Sequence, residues 1–390
     1  MQKKEVFIVA AKRSAIGSFN GVFSELSGPQ LAGQVIQQTL QSANLDPKII
    51  DEVILGNVCQ AGQGQNPTRQ AALAGGIPMN VPCTTVNKVC ASGMKTVMMG
   101  AQAIQSGDAE CILAGGYESM SNIPFYVQGQ RRGSGFGHQQ LSDGLQLDGL
   151  TNVYDQNAMG FCAEKTATDF KITREENDQF CVKSYERVIQ SGKNKVFEQE
   201  IVPVQTKKGP VIQDQEPTRY KPNKISQLKP AFVRNGGTIT AANASKINDG
   251  ACIIILMSAE KLQQTGAKPL AKIVSYADAE VAPVDFCIAP ASSGEKALKK
   301  ANLQVQDMDF FEFNEAFSTT TLANMKILNV PHEKVNVHGG AVALGHPLGM
   351  SGARIILSLV NVLNQKQGKY GMAGICNGGG GGSSIIIQRV

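Results

Sequence analysis

Hydrophobic and polar positions along this chain follow two periods in turn. Short apolar, β-branched runs have the length and make-up of strands: Glu5-Val-Phe-Ile-Val-Ala10, Ala251-Cys-Ile-Ile-Ile-Leu-Met257 and Ser383-Ser-Ile-Ile-Ile-Gln388. Between them, segments such as Gln30–Leu40, Lys95–Ile104 and Gly352–Leu363 carry apolar residues three and four apart, which predicts helices. Strands alternating with helices imply mixed sheets covered by helical layers.

The pattern also repeats. Leu45–Asn57 and Leu303–Glu315 are each an acidic turn followed by an apolar strand, Ala91–Val97 parallels Met350–Ile356, and Ile112–Gly116 parallels Ile375–Gly379. Asp51 stands 258 positions before Asp309, Ser92 259 before Ser351, and Gly115 263 before Gly378, so order and spacing are both kept. A period this long is not that of a solenoid. It predicts two similar α/β halves related by a pseudo-twofold, with both contributing functional groups. Residues 121–240, rich in Gly, Gln, Lys and Pro, have no counterpart in the last third and read as an insertion over the top of the core. The expected division is therefore 1–120, an insertion over 121–240, a return to the first half over 241–270, and a second half over 271–390.

Composition narrows the class. At 390 residues with 42% apolar and 18% charged positions, the chain can bury a large core and is not disordered. Its nine cysteines are scattered and contain no CxxC pair, which excludes a zinc knuckle and favours a reducing compartment. The apolar runs are too short to span a bilayer, and with a strand read from Glu5 neither a signal-peptide core nor an Arg/Ser-rich presequence is expected. Nor are the last residues, Gln388-Arg389-Val390, a peroxisomal address. A net charge of +5 without a basic, aromatic-studded stripe argues against nucleic acid. One local cluster, Lys207, Lys208, Arg219, Lys221, Lys224 and Lys229, is suited to a phosphorylated ligand.

Four segments carry chemistry. Cys90 lies in Val86-Asn-Lys-Val-Cys-Ala-Ser-Gly-Met94, just before a helix, where unpaired N–H groups and the dipole favour a thiolate. Asn314 in Asn314-Glu-Ala-Phe317 falls at a strand end. His346 is one of four histidines and sits between Gly345 and Pro347, a loop built for fixed geometry. Cys376 opens Cys376-Asn-Gly-Gly-Gly-Gly-Gly382. That glycine run ends too near the end of the chain to open a dinucleotide-binding helix, so it excludes NAD and instead lets backbone N–H groups approach a bulky ligand. Two thiols, an imidazole and an amide define acyl transfer by covalent catalysis with a separate acid/base.

These segments, in this order and spacing, resemble the thiolase family over essentially Val6–Val390, and within it the potassium-responsive mitochondrial type of acetoacetyl-CoA thiolase. The resemblance implies an αβαβα layered core with an inserted loop domain. It also implies reversible condensation of two acetyl-CoA to acetoacetyl-CoA and CoA. Cys90 would be the acetyl-accepting nucleophile, His346 its proton acceptor and Cys376 the base at the α-carbon. His346 with an Asn314-held water, and the N–H groups of Cys90 and Gly378, would form two oxyanion sites. Coenzyme A would meet Tyr185, Arg219, Tyr220, Lys221, Lys224 and Ser245. Potassium would be held by Tyr185, Ala241, Ala242, Ala244 and Val342. No covalently bound cofactor is implied. A homotetramer, a dimer of dimers, is expected, in the cytoplasm or alternatively the mitochondrial matrix.

Two positions depart from the family pattern. Ala158 replaces the histidine of a His-Met-Gly loop over the substrate tunnel, and Lys246 follows Ser245 where a small residue is usual. Lys246 is expected either to help hold a phosphate or to obstruct the tunnel. The competing readings are a ketosynthase, disfavoured because Cys376 stands where a second histidine is needed, a binding or structural subunit, and a broad-chain 3-ketoacyl-CoA thiolase.

Overall fold

The computed structural model describes residues 4–390. Nine strands form the backbone of a mixed sheet: β1 (Val6–Arg13), β2 (Glu52–Gly56), β3 (Cys83–Val86), β4 (Cys111–Ser119), β5 (Asn248–Ser258), β6 (Ala271–Glu280), β7 (Phe310–Phe313), β8 (Tyr370–Asn377) and β9 (Gly381–Arg389). They lie in the order β7-β8-β9-β6-β1-β5-β4-β2-β3. Only Phe7 and Ile8 of β1 pair with β6, so the sheet divides there into two halves. In the first, β2 is parallel to β4, followed by antiparallel β5 and β1; in the second, β7 is parallel to β8, followed by antiparallel β9 and β6. The internal repeat in the sequence is a repeat of topology.

The helices complete the layers. α1 (Gly28–Ser42) begins at a capping box between Ser27 and Gln30 and packs on the outer face of the first half. α2 (Ser92–Ser106) and α7 (Leu348–Lys366) lie against each other between the two halves, and α5 (Ala289–Ala301) covers the outer face of the second. Every residue of α7 from Leu348 to Val360 is buried, the pattern of a helix enclosed on all sides. Close approach of α2 and α7 depends on repeat-related glycines. A Cβ on Gly93 would meet Gly349 O at 2.6 Å and Ala353 N at 3.0 Å, and one on Gly352 would meet Met94 N at 2.4 Å.

β4 and β5 are joined by residues 120–247, whereas their counterparts β8 and β9 are joined by the three residues Gly378–Gly380. The long connection contains α3 (Met159–Asp169) and α4 (Arg174–Lys193), which the mainly polar sequence did not suggest. Both pack on α6 (Ser318–Leu328) of the second half. Glu164 holds the segment after them, accepting from the N–H groups of Thr238 and Ile239, and Arg174 donates to the carbonyls of Ile225 and Leu228. A connection that leaves the first half therefore caps the second.

Candidate active site

The four chemical segments all fall where this frame ends its strands or starts its inner helices. Cys90 lies immediately before α2 and His346 shortly before α7, while Asn314 follows β7 and Cys376 is near the end of β8. Strand ends and helix starts point to one crevice between the halves, the usual place for ligands in α/β sheets.

Cys90 is buried and follows Val89, whose φ of 47° is rare for a β-branched residue. This strained turn puts the thiol beside its own N–H and that of Gly378, which both favour its thiolate. Burial acts against them and pushes the thiol up to about 12, so in the free protein Cys90 is a thiol. Gly378 comes this close because Gly379 and Gly380, at φ 90° and 95°, turn β8 sharply into β9. A Cβ on Gly378 would lie 3.6 Å from Val89 and 3.7 Å from Met159, which places the turn between the nucleophile and the Ala158-Met159-Gly160 loop.

The imidazole of His346 is oriented on both sides. The Ser351 hydroxyl donates to Pro347 O at 2.8 Å and so accepts from Nδ1–H at 2.6 Å, leaving the Nε2 lone pair toward Asn314 Nδ2 at 3.5 Å. The backbone of His346 is held by Asn248 Oδ1 at 3.0 Å. Burial and the nearby Arg354 guanidinium lower its pKa to about 3, so it is a neutral base. Arg354, enclosed in α7, also points to Asn314 Oδ1 at 3.5 Å. Cys376 is fully buried and its thiol is pushed well up, by burial first and then by the fields of Cys287 and Cys90. The field of the Cys90 thiol thus reaches Cys376 and resists its ionisation.

Of the residues expected to meet a nucleotide, Tyr185 and Tyr220 stack with ring centroids 4.5 Å apart, against the hydrophobic cluster that includes Cys90. Arg219 is exposed beside Glu216 at 3.9 Å, Lys221 and Lys224 are exposed on the same turn, and Ser245 N donates to Ala316 O at 3.0 Å. Lys207 is not part of this group, because it pairs with Glu25 at 2.9 Å on another face. Ala158 caps α3 next to Met159. Phe232 lies over Gly160 and edge-on to Phe161 and Phe317, closing the loop with aromatic rings. The sequence reading missed Ser351, Asn248, Arg354 and Phe232; Ser351 and Arg354 were within a quoted motif, and the other two carried no signal.

The expected potassium ligands do not fit the ion. The carbonyls of Ala242, Ala244 and Val342 do converge, but on the ammonium of Lys246, at 3.0, 2.5 and 3.2 Å. Lys246 thus does not reach for a phosphate, because backbone carbonyls take all three of its N–H donors.

Comparison with known proteins agrees with this geometry. Residues 6–260 match the family model for the thiolase N-terminal domain and residues 267–389 that for the thiolase C-terminal domain. The chain is 47% identical to an acetyl-CoA acetyltransferase of Schizosaccharomyces pombe over the full length of both. It is 48% identical to the mitochondrial acetyl-CoA acetyltransferase of Bos taurus, covering 99% of this chain and 92% of that one. Among solved structures, it superposes on the Acat5 thiolase of Ascaris suum in complex with coenzyme A with a TM-score of 0.95 and 46% identity, over 99% and 100% of the two chains. Human mitochondrial 3-ketoacyl-CoA thiolase gives a TM-score of 0.96 at 37% identity over 99% of each. This chain belongs to the thiolase family.

Proposed function

We propose that this acyltransferase is an acetyl-CoA C-acetyltransferase that joins two acetyl-CoA into acetoacetyl-CoA and CoA, and runs the thiolytic reverse, through an acetyl-Cys90 intermediate. The observation that carries the reading is the convergence on one thiol of two backbone N–H groups and a second thiol, with a neutral, oriented imidazole at the start of the facing helix.

In the first half-reaction the Cys90 thiol loses its proton to His346 Nε2 as its sulfur attacks the acetyl carbonyl. The N–H groups of Cys90 and Gly378 receive the developing oxyanion, the bond to the CoA sulfur breaks, and the CoA thiolate takes the proton of the Cys376 thiol, leaving a Cys376 thiolate and a protonated His346. In the second, the Cys376 thiolate removes the α-proton of another acetyl-CoA, whose enolate oxygen is held by His346 and an Asn314-bound water. The carbanion attacks the acetyl carbon on Cys90, and the Cys90 thiolate leaves and takes back its proton from His346. Tyr185, Arg219, Tyr220, Lys221, Lys224 and Ser245 would hold the nucleotide and pantetheine of coenzyme A. No step passes through a metal ion.

The sequence division stands as part of this proposal: halves at 1–120 with 241–270 and at 271–390, with the CoA-holding insertion over 121–240. A homotetramer follows from the family resemblance. The cytoplasm is the first compartment proposed, and the mitochondrial name of the bovine relative supports the alternative, the mitochondrial matrix. Among the described residues no helix is long and apolar enough to cross a membrane.

A second reading, a broad-chain 3-ketoacyl-CoA thiolase, is favoured by one observation: Ala158 removes an imidazole from the loop beside the tunnel. CoA-dependent loss of acetoacetyl-CoA absorbance decides between them when run beside a long-chain 3-ketoacyl-CoA and the Cys90→Ser variant. Turnover of the short substrate that disappears in the variant supports the proposal. Faster turnover of the long one replaces it with the second reading, and turnover that survives in the variant contradicts both.

A further inference from the structure

Lys246 sits where the frame joins three pieces of the site. Ala242 and Ala244 belong to the turn that leads into β5, and Val342 belongs to the short helix Ala341–Leu344 that leads into Gly345 and His346. Val342 N donates in turn to Glu315 Oε2 at 3.0 Å, next to Asn314, and Ser245 N is tied to Ala316 O. Cys181 Sγ also meets the carbonyl of Ala242, at 3.3 Å. The ammonium therefore clamps the Ser245 turn to the loop that carries the imidazole.

The chemistry of the cage is unusual for lysine. Among the described residues its ammonium forms no salt bridge, and its three partners are all neutral backbone carbonyls. Carbonyl dipoles without a carboxylate are the donor set for a desolvated monovalent cation rather than a divalent one. An ammonium group is similar in size to a potassium ion and carries the same charge. It is also covalently attached, so it needs no free ion and loses no translational freedom on entering the cage.

We propose that Lys246 is a built-in monovalent cation: its ammonium fills a carbonyl cage that would otherwise take a potassium-sized ion, so this protein works without added potassium. Lys246 is then a positioning residue for the His346 loop and the Ser245 turn. Burial lowers its pKa, with the fields of Cys181, Glu216 and Glu315 acting against that, and the three hydrogen bonds the ammonium donates to carbonyls favour the charged form.

The test compares the full-length protein with Lys246→Ala, which empties the cage, and Lys246→Met, which fills it without charge. Potassium, ammonium and sodium chlorides are set against tetramethylammonium chloride, too large to enter, at one ionic strength. Thermal unfolding is read first, because it does not depend on any assigned activity; kcat and KM for acetoacetyl-CoA thiolysis are read second. The expected result has three parts. The wild type responds equally to all salts. Lys246→Ala is destabilised, with KM raised about ten-fold in tetramethylammonium, and potassium or ammonium restores both more fully than sodium. Lys246→Met is impaired and no salt rescues it. Selective potassium stimulation or stabilisation of the wild type overturns the proposal, and so does a Lys246→Ala protein indifferent to the cation. Absence of thiolase turnover would overturn the proposed function, while the unfolding measurements would still decide the cage.

Discussion

The two halves end their parallel strand pairs within one residue of each other in the repeat and finish them differently. In the first, Gly56 pairs with Gly116; the next residue on one strand is Asn57 and two further on the other is Glu118. In the second, the last pair is Phe313 with Gly374, one position earlier in the repeat, and the residues just beyond it include Asn314 and Cys376. The Glu118 carboxylate accepts from Asn57 Nδ2 at 2.8 Å, from the N–H groups of Val58 and Cys59 at 3.0 and 3.1 Å, and from Gly349 N in the first turn of α7 at 2.9 Å. A buried carboxyl group thus closes one helix start and occupies its donors. The thiol of Cys376 is a weak donor and acceptor, so the N–H groups of Cys90 and Gly378 and the amide of Asn314 remain for a ligand. Duplication supplies two similar crevices. A carboxylate turns one into structure and a thiol leaves the other open for chemistry.

The same contrast holds for the strand connections. Three residues between β8 and β9 bring Gly378 to the nucleophile, while the long segment between β4 and β5 crosses over and covers the second half. The first half supplies the nucleophile and the cap; the second supplies the groups that move protons.

The largest effect is expected from Cys376→Ser. Removing the α-carbon base should lower kcat for thiolysis by about 10²–10⁴-fold with the unfolding midpoint little changed. Cys376→Glu, which places near the end of β8 the carboxyl group found near the end of β4, should not recover it. A carboxylate that restored turnover would break the comparison. Glu118→Gln should behave in the opposite way, costing about 1–3 kcal/mol of stability by presenting an N–H₂ to donors, with kcat of the folded enzyme within a few-fold. Denaturant unfolding and steady-state kinetics on the same preparation separate the two outcomes.

The smallest effect is a slope with pH. An unfolded histidine protonates near its ordinary value, whereas His346 in the folded protein stays neutral down to about 3. Between those values the unfolded chain binds more protons, so this residue contributes stability above its unfolded pKa that is lost as pH falls. Unfolding midpoints of His346→Gln measured from pH 7 to 5 should therefore decline less steeply than those of the wild type. Glu118 contributes with the opposite sign: burial raises its pKa to about 7, so the folded protein keeps that proton longer and the contribution declines as pH rises toward 7. Glu118→Gln should flatten that second trend.

The repeat, the strand and helix runs and the four chemical segments were all readable in the sequence, because periodicity and glycine punctuation survive without coordinates. The α3 and α4 helices were not, since their polar sequences lack a strong apolar stripe and gain their order from contact with α6. Glu118 looked like an ordinary strand end, and only its four donors reveal its role. The potassium expectation failed for a related reason. Carbonyl ligands leave no mark on side-chain identity, so the sequence could not show that Lys246 folds back onto them. Arg354 was visible within its motif, but its full burial follows from the position of α7 between the two halves of the sheet.

The measurement that bears most directly on this account is to incubate the purified protein with acetyl-CoA in the absence of free CoA, quench it in acid and map the modified peptide by mass spectrometry. One acetyl group is expected on Cys90 and none on Cys376, with Cys90→Ser giving no thioester at either position. An acetyl group on Cys376, or none on a folded protein that still turns over acetoacetyl-CoA, would contradict the division of labour between the two halves.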